Sequence, residues 1–174
     1  MLSVRNLLFL AVAVTGSVIK RDAGQVKSDL QLINTDTQAV TAAVNNYNGG
    51  GVTNALPIVR AQSKLSRDIK SATDHAKAAG GISEADASAI IGYIKNTLQP
   101  SIQGSLSALK TKKGNFDADG LTPTVKSSLE SLKSDTDNLS AALIAGTPPS
   151  KVSEAKGVSD AIDASFNDAI AYFS

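Results

Sequence analysis

Residues 24–51 read GQVKSDLQLINTDTQAVTAAVNNYNGGG, and their spacing decides the fold. Val26, Leu30, Ile33, Thr37, Val40, Val44 and Tyr47 recur at alternating intervals of four and three. That is the seam of an amphipathic helix, because positions three and four apart share one face of a 3.6-residue turn. The spacing predicts a helix over about Gly24–Asn48, ~35 Å long at 1.5 Å per residue. Gly49, Gly50 and Gly51 end it, since glycine readily takes the left-handed C-cap conformation.

The same period runs through the rest of the chain. Val52, Leu56, Val59, Leu65, Ile69, Ala72 and Ala76 predict a second helix over about Val52–Ala79. Pro57 sits in its first turns, where proline is tolerated, and Gly80-Gly81 stops it. Ser83-Glu84-Ala85-Asp86 resembles a capping box ahead of Ala87, Ile90, Ile91, Ile94 and Leu98. Pro100 interrupts, and Ile102, Leu106 and Leu109 resume the stripe. That predicts one helix kinked near Gln99-Pro100, or two abutting helices. Lys110, Lys112 and Lys113 near its end complement the helix dipole. Thr122 as N-cap and Pro123 open a helix striped by Val125, Leu129, Leu132, Thr136, Leu139 and Leu143. Ser150 is expected to cap the last helix, whose face is Val152, Ala155, Ser159, Ile162, Phe166, Ile170 and Phe173. No segment alternates as a strand does. The expected fold is an all-α, single-domain bundle of five amphipathic helices, six if Pro100 separates two.

Residues 1–17 read as a signal peptide. Arg5 precedes Leu7–Val14, an apolar run too short to span a bilayer, and small residues follow. Residues 18–21 form a short pro-segment ending in Lys20-Arg21, a dibasic processing site, which leaves residues 22–174 as the helical domain. Loss of Arg5, Lys20 and Arg21 would leave 14 basic against 16 acidic residues, a net charge of −2. A polybasic attachment to anionic lipid is not expected at that balance. The end, Ala171-Tyr172-Phe173-Ser174, lacks the hydrophobic tail of a glycolipid anchor. Secretion is the expectation.

Composition removes most chemistry. Without Cys there is no thiol nucleophile, disulfide or Cys-based metal site. A single His excludes a multi-His centre. The low aromatic content and the absence of a basic excess argue against nucleic acid. No cofactor, metal or catalytic residue is expected. His75 lies off the apolar face of its helix and reads as exposed decoration, because catalysis would need a nucleophile and an orienting acid converging on it. Asn115, Asp117, Asp119 and Gly120 match the first half of a calcium loop, but Lys126 stands where a bidentate Glu is required and Pro123 falls inside. A helix-connecting turn is the better reading. Asn138-Leu139-Ser140 is a glycosylation sequon, with Asn138 opposite the Val125–Leu129–Leu143 stripe and hence solvated.

The seams combine medium aliphatics with Ala, Thr and Ser. Small residues let helices pack closely, or they leave room for an apolar guest. By pattern alone a filled core is the simpler expectation.

The segments Asp29-Leu30-Gln31-Leu32-Ile33-Asn34-Thr35-Asp36, Ile94-Lys95-Asn96-Thr97-Leu98 and Leu132-Lys133-Ser134-Asp135-Thr136-Asp137-Asn138-Leu139 follow that leader and dibasic pair in a cysteine-free helical chain. Together they are similar to the fungal hydrophobic surface binding protein A family, also called cell-wall galactomannoproteins. The resemblance implies a secreted, non-enzymatic protein that binds apolar ligands or hydrophobic surfaces, with a fatty acid or similar lipid held in the bundle. Mid-helix seam positions would line that lipid: Ile33, Val40, Ile69, Ile94, Leu98, Leu132, Leu139, Ile162 and Phe166. The alternatives are a passive cell-wall mannoprotein, or an adaptor that adsorbs to hydrophobic surfaces and recruits a secreted hydrolase such as an esterase.

Overall fold

The computed structural model describes residues 23–174; the leader, Lys20 and Arg21 lie outside the described residues. Helices run α1 (Ala23–Asn46), α2 (Gly51–Ala79), α3 (Glu84–Tyr93), α4 (Gln99–Thr111), α5 (Lys113–Ala118), α6 (Thr122–Ala145) and α7 (Val152–Tyr172). No strand occurs among the described residues. A π-helical turn, Ile94–Leu98, joins α3 to α4 into one continuous rod. With that rod counted once, the bundle has the five long rods that the periodicity predicts; the short α5 is additional, standing where the sequence reads as a connecting turn.

Pro100 therefore neither ends the helix nor splits it. It lacks an N–H, and its ring would press on the carbonyl four residues back. The turn widens by one residue instead, with the Gln99 N–H donating to the Ile94 carbonyl five positions earlier. Two caps fall elsewhere than expected. Thr122 lies inside the first turn of α6, and its hydroxyl bonds the Asp117 carboxylate. Ser150 sits in a 3₁₀ turn, Pro149–Lys151, and donates to Glu84 rather than capping α7. Ser83 does cap α3, its oxygen accepting from the Asp86 N–H at 3.1 Å.

The rods close into a ring. Neighbours in contact are α1 with α2, α2 with α6, α6 with α7, α7 with α4, and α4 with α1. Chain direction puts the α1–α2 corner, α5 and the end of α7 at one end, called here the top. The α2–α3 and α6–α7 connections lie at the bottom. At the top, the Tyr47 ring stacks on Phe116 with centroids 4.8 Å apart, and Phe116 meets the edge of Phe173 at 6.3 Å. Gly49, Gly50 and Gly51 turn the corner with φ of 86°, 99° and 76°, a region where only glycine avoids strain. At the bottom, the Ile82 N–H donates to the Gly146 carbonyl at 3.0 Å. The backbones are so close there that a Cβ on Gly146 would stand 2.4 Å from the Gly80 oxygen.

Candidate functional site

Five rods around a common axis leave a centre that medium side chains do not fill. An apolar lumen runs there. Its wall takes Leu30, Ile33, Thr37 and Val40 from α1, Leu65 and Ile69 from α2, and Ile94, Leu98, Ile102, Ser105, Leu106 and Leu109 from the α3–α4 rod. Leu129, Leu132, Thr136, Leu139, Ser140 and Leu143 of α6, with Ile162 and Phe166 of α7, complete it. The atom-free space is about 730 Å³ including its opening to solvent, of which about 80 Å³ can seat the centre of a water molecule. A single water needs roughly 10–15 Å³ by that measure. The core is thus looser than the filled one expected from pattern alone.

All nine seam positions named from the sequence face this one lumen: Ile33, Val40, Ile69, Ile94, Leu98, Leu132, Leu139, Ile162 and Phe166. The choice of mid-helix positions missed Leu30, Leu65, Ile102, Leu106, Leu109, Leu129 and Leu143, which lie on the same stripes one or two turns away. Ser105 and Ser140 stand at the same spacing, Ser105 three past Ile102 and Ser140 four past Thr136, but a stripe read from apolar residues passes over serine.

Two further apolar chambers share walls with the lumen. The upper one, about 790 Å³ of atom-free space, shares Val40, Leu109, Leu129 and Leu132 and extends to Val52, Ala55 and Val59 of α2 and Leu121 and Val125 near the start of α6. The lower one, about 470 Å³, shares Ile94, Ser140, Leu143 and Ile162 and reaches Ile90, Ile91 and Val158. The three lie in a row along the axis.

Among the described residues no charged side chain lines the lumen. Thr37 and Thr136 donate at 2.8 Å to the carbonyls of Ile33 and Leu132, one turn back in their own helices. Ser105 and Ser140 add two more hydroxyls to the wall. Both lie within the lining that a guest would touch.

Charge is arranged outside the lumen, where it fixes α2. Lys64 donates to the buried Asp36 at 2.6 Å and to Asp68 at 2.8 Å. Burial pushes the Asp36 carboxyl above its usual range, and hydrogen bonding to Asp36 holds Asp68 below it. Asp135, also buried, accepts from Ser66 at 2.6 Å. His75 meets Asp29 at 2.8 Å, tying α2 to α1, and its side chain is 44% exposed, in line with a surface role. At the top, Asp119 accepts from the Tyr47 phenol and from the Gly50 and Gly51 amides at the start of α2. The Tyr47 bond chiefly holds Asp119 below the ordinary carboxylate value, while burial and then Asp119 raise the Tyr47 phenol to about 12. Asp117 is engaged by Lys113 and Thr122. The half-match to a calcium loop is thus the end of α5 and a turn, its carboxylates taken by protein partners. Asn138 lies exposed on α6.

A family model described as hydrophobic surface binding protein A matches residues 23–145. Curated proteins yield no match. Among solved structures, that of Afmp4p in complex with palmitic acid is 35% identical, with a TM-score of 0.84 over 88% of this chain and all of that one. Ligand binding domain 1 of the Penicillium marneffei MP1 protein, complexed with arachidonic acids, shares the fold at 21% identity and a TM-score of 0.82, over 88% of this chain and 99% of its own. Domain 2 of the same protein, complexed with multiple arachidonic acids, does so at 19% identity and 0.82, over 90% and 98%. From α1 through α6 the family pattern is continuous, and the chain belongs to the hydrophobic surface binding protein A family.

Proposed function

We propose that this protein takes up a long-chain fatty acid or a similar single-chain lipid in the lumen, and that it acts by binding rather than by catalysis. The observation that carries this reading is one uncharged lumen to which all five rods contribute aliphatic side chains. The palmitic acid complex of the 35% identical Afmp4p supports it. The nine seam residues hold the alkyl chain, and burial contributes about 0.8 kcal/mol per methylene before ordering costs. The carboxylate meets the Ser105 or Ser140 hydroxyl or emerges at the upper chamber. With no buried cation to pair it, affinity depends weakly on salt.

The protein works outside the cell, released as residues 22–174 after cleavage behind Lys20-Arg21, with Asn138 open to glycosylation. Cell-wall association, and adsorption that recruits an esterase, are the alternatives that the family leaves to experiment. Titration of delipidated protein with a fluorescent fatty acid and with its methyl ester tests the lumen. Saturable binding of both is expected, and weakening by Ile94→Asp in a variant of unchanged helicity. Absence of saturable binding of either would overturn the lumen reading and leave surface adsorption.

A further inference from the structure

The outer face of α2 has a use that the lumen does not explain. Val52, Leu56, Val59, Ser63, Arg67 and Lys70 follow one another at steps of three and four, so they stand in one line along the helix. All six are exposed, and Val52, Leu56 and Val59 are 63%, 39% and 44% exposed, which makes them three of the five exposed large apolar residues among the described residues. Leu56 lines none of the three chambers. The other half of the line is cationic. Arg67 stands in it and Arg60 beside it two turns earlier, both exposed, and neither forms an ion pair among the described residues, unlike Lys64 and Lys70 of the same helix. Acid enters this face only at Asp74, beyond Lys70. An apolar half flanked by arginines matches the boundary between acyl chains and phosphates, and the guanidinium fork suits a phosphate bidentately.

The line also meets the cavity. Val52 and Val59 belong both to the exposed stripe and to the wall of the upper chamber, whose far side is Thr124, Val125 and Ser128 of α6. The chamber therefore opens at the edge of the stripe, between α2 and α6.

We propose that this face of α2 docks on an anionic phospholipid bilayer, with Val52, Leu56 and Val59 entering the interface and Arg60 and Arg67 on phosphates, so that a fatty acid passes between bilayer and upper chamber without crossing water. The passage of ligand rests on the lumen reading; the docking does not. A net charge of −2 on residues 22–174 does not oppose it, because the two arginines are concentrated on one face.

The test is flotation of the secreted protein with phosphatidylcholine vesicles, with and without phosphatidylglycerol, alongside fatty-acid binding from solution. Wild type is expected to float with the anionic vesicles and to release at high salt. The double variant R60Q/R67Q should bind them about 25-fold more weakly, at ~fivefold per arginine. Leu56→Asp should lose flotation by an independent route. Both variants should bind fatty acid from solution as wild type does, and transfer from anionic vesicles should slow in both. Equal flotation of wild type and variants, or none by wild type, would overturn the docking surface. So would a stripe that instead pairs two copies, seen as a wild-type dimer and monomeric variants with unchanged lipid binding. Flotation without saturable fatty-acid binding would keep the docking surface and overturn the lumen reading.

Discussion

Chain length should be read by the lumen as by a ruler. On α6 the wall extends from Leu129 to Leu143, fourteen residue steps or ~21 Å at 1.5 Å each. An extended alkyl chain advances ~1.3 Å per carbon for bonds of ~1.5 Å, so about sixteen carbons fill that length. Each methylene buried adds about 0.8 kcal/mol, or roughly fourfold in affinity. From twelve to sixteen carbons the gross gain is thus ~3 kcal/mol, and ordering of the chain opposes part of it, which leaves at least ~tenfold. Isothermal titration of delipidated protein with a saturated series should rise steeply to about sixteen carbons and then flatten. Ser140→Phe places a ring where the lumen meets the lower chamber and should move the break to shorter chains while sparing a twelve-carbon ligand. A series with no slope would refute burial of the chain. A slope that continues unbroken past about twenty carbons, or a break unmoved by Ser140→Phe, would refute a lumen of this length.

Leu129, 2% exposed in the wall, should cost ~3 kcal/mol as Leu129→Ala, seen as a melting temperature about 6–12 °C lower. Asp119 is held below the ordinary value of 3.8, so its contribution to stability is complete above 3.8 and disappears as pH falls through the depressed value. Acid unfolding of Asp119→Asn should accordingly be less steep in that window than that of wild type. The Tyr47 phenol, raised to about 12, should appear as a late step in an ultraviolet titration that Tyr47→Phe removes; its stabilising bond is kept below the unfolded value near 10 and lost as pH rises through about 12. Amino-terminal sequencing of secreted protein should start at Asp22, and a start at Ser17 or Val18 would remove the dibasic argument.

The rods were legible because their stripes repeat: Val26 to Tyr47 and Val125 to Leu143 each mark a buried face at fixed intervals. The central lining followed from the same stripes, since a mid-helix seam residue in a ring of rods has nowhere to point but inward. Whether the centre was filled did not follow. That depends on how many rods surround the axis, and the stripes of α1, α2, α4, α6 and α7 read alike for a filled bundle and for a ring. The π turn was equally hidden, because the stripe Ile94, Leu98, Ile102 keeps steps of four across it, and only Pro100 marks the strain it relieves. Cap positions failed at Thr122 and Ser150 because carboxylates take those hydroxyls, Asp117 from five residues upstream and Glu84 from across the bundle's bottom.

The bond from Ile82 to Gly146, with the Gly80 and Gly146 backbones pressed together, turns the bottom of the bundle into a fulcrum. Rods fixed at one end are levers. A tilt of about 3° about that end moves the other end of a ~35 Å rod by ~2 Å, about a third of a helical turn, while the joined connections barely shift. Widening at the top then calls for no broken backbone bond at the base, only for side chains to slide where α2 faces α6. Any residue larger than glycine at position 146 would wedge the fulcrum itself, and the error would be multiplied along every rod that pivots on it.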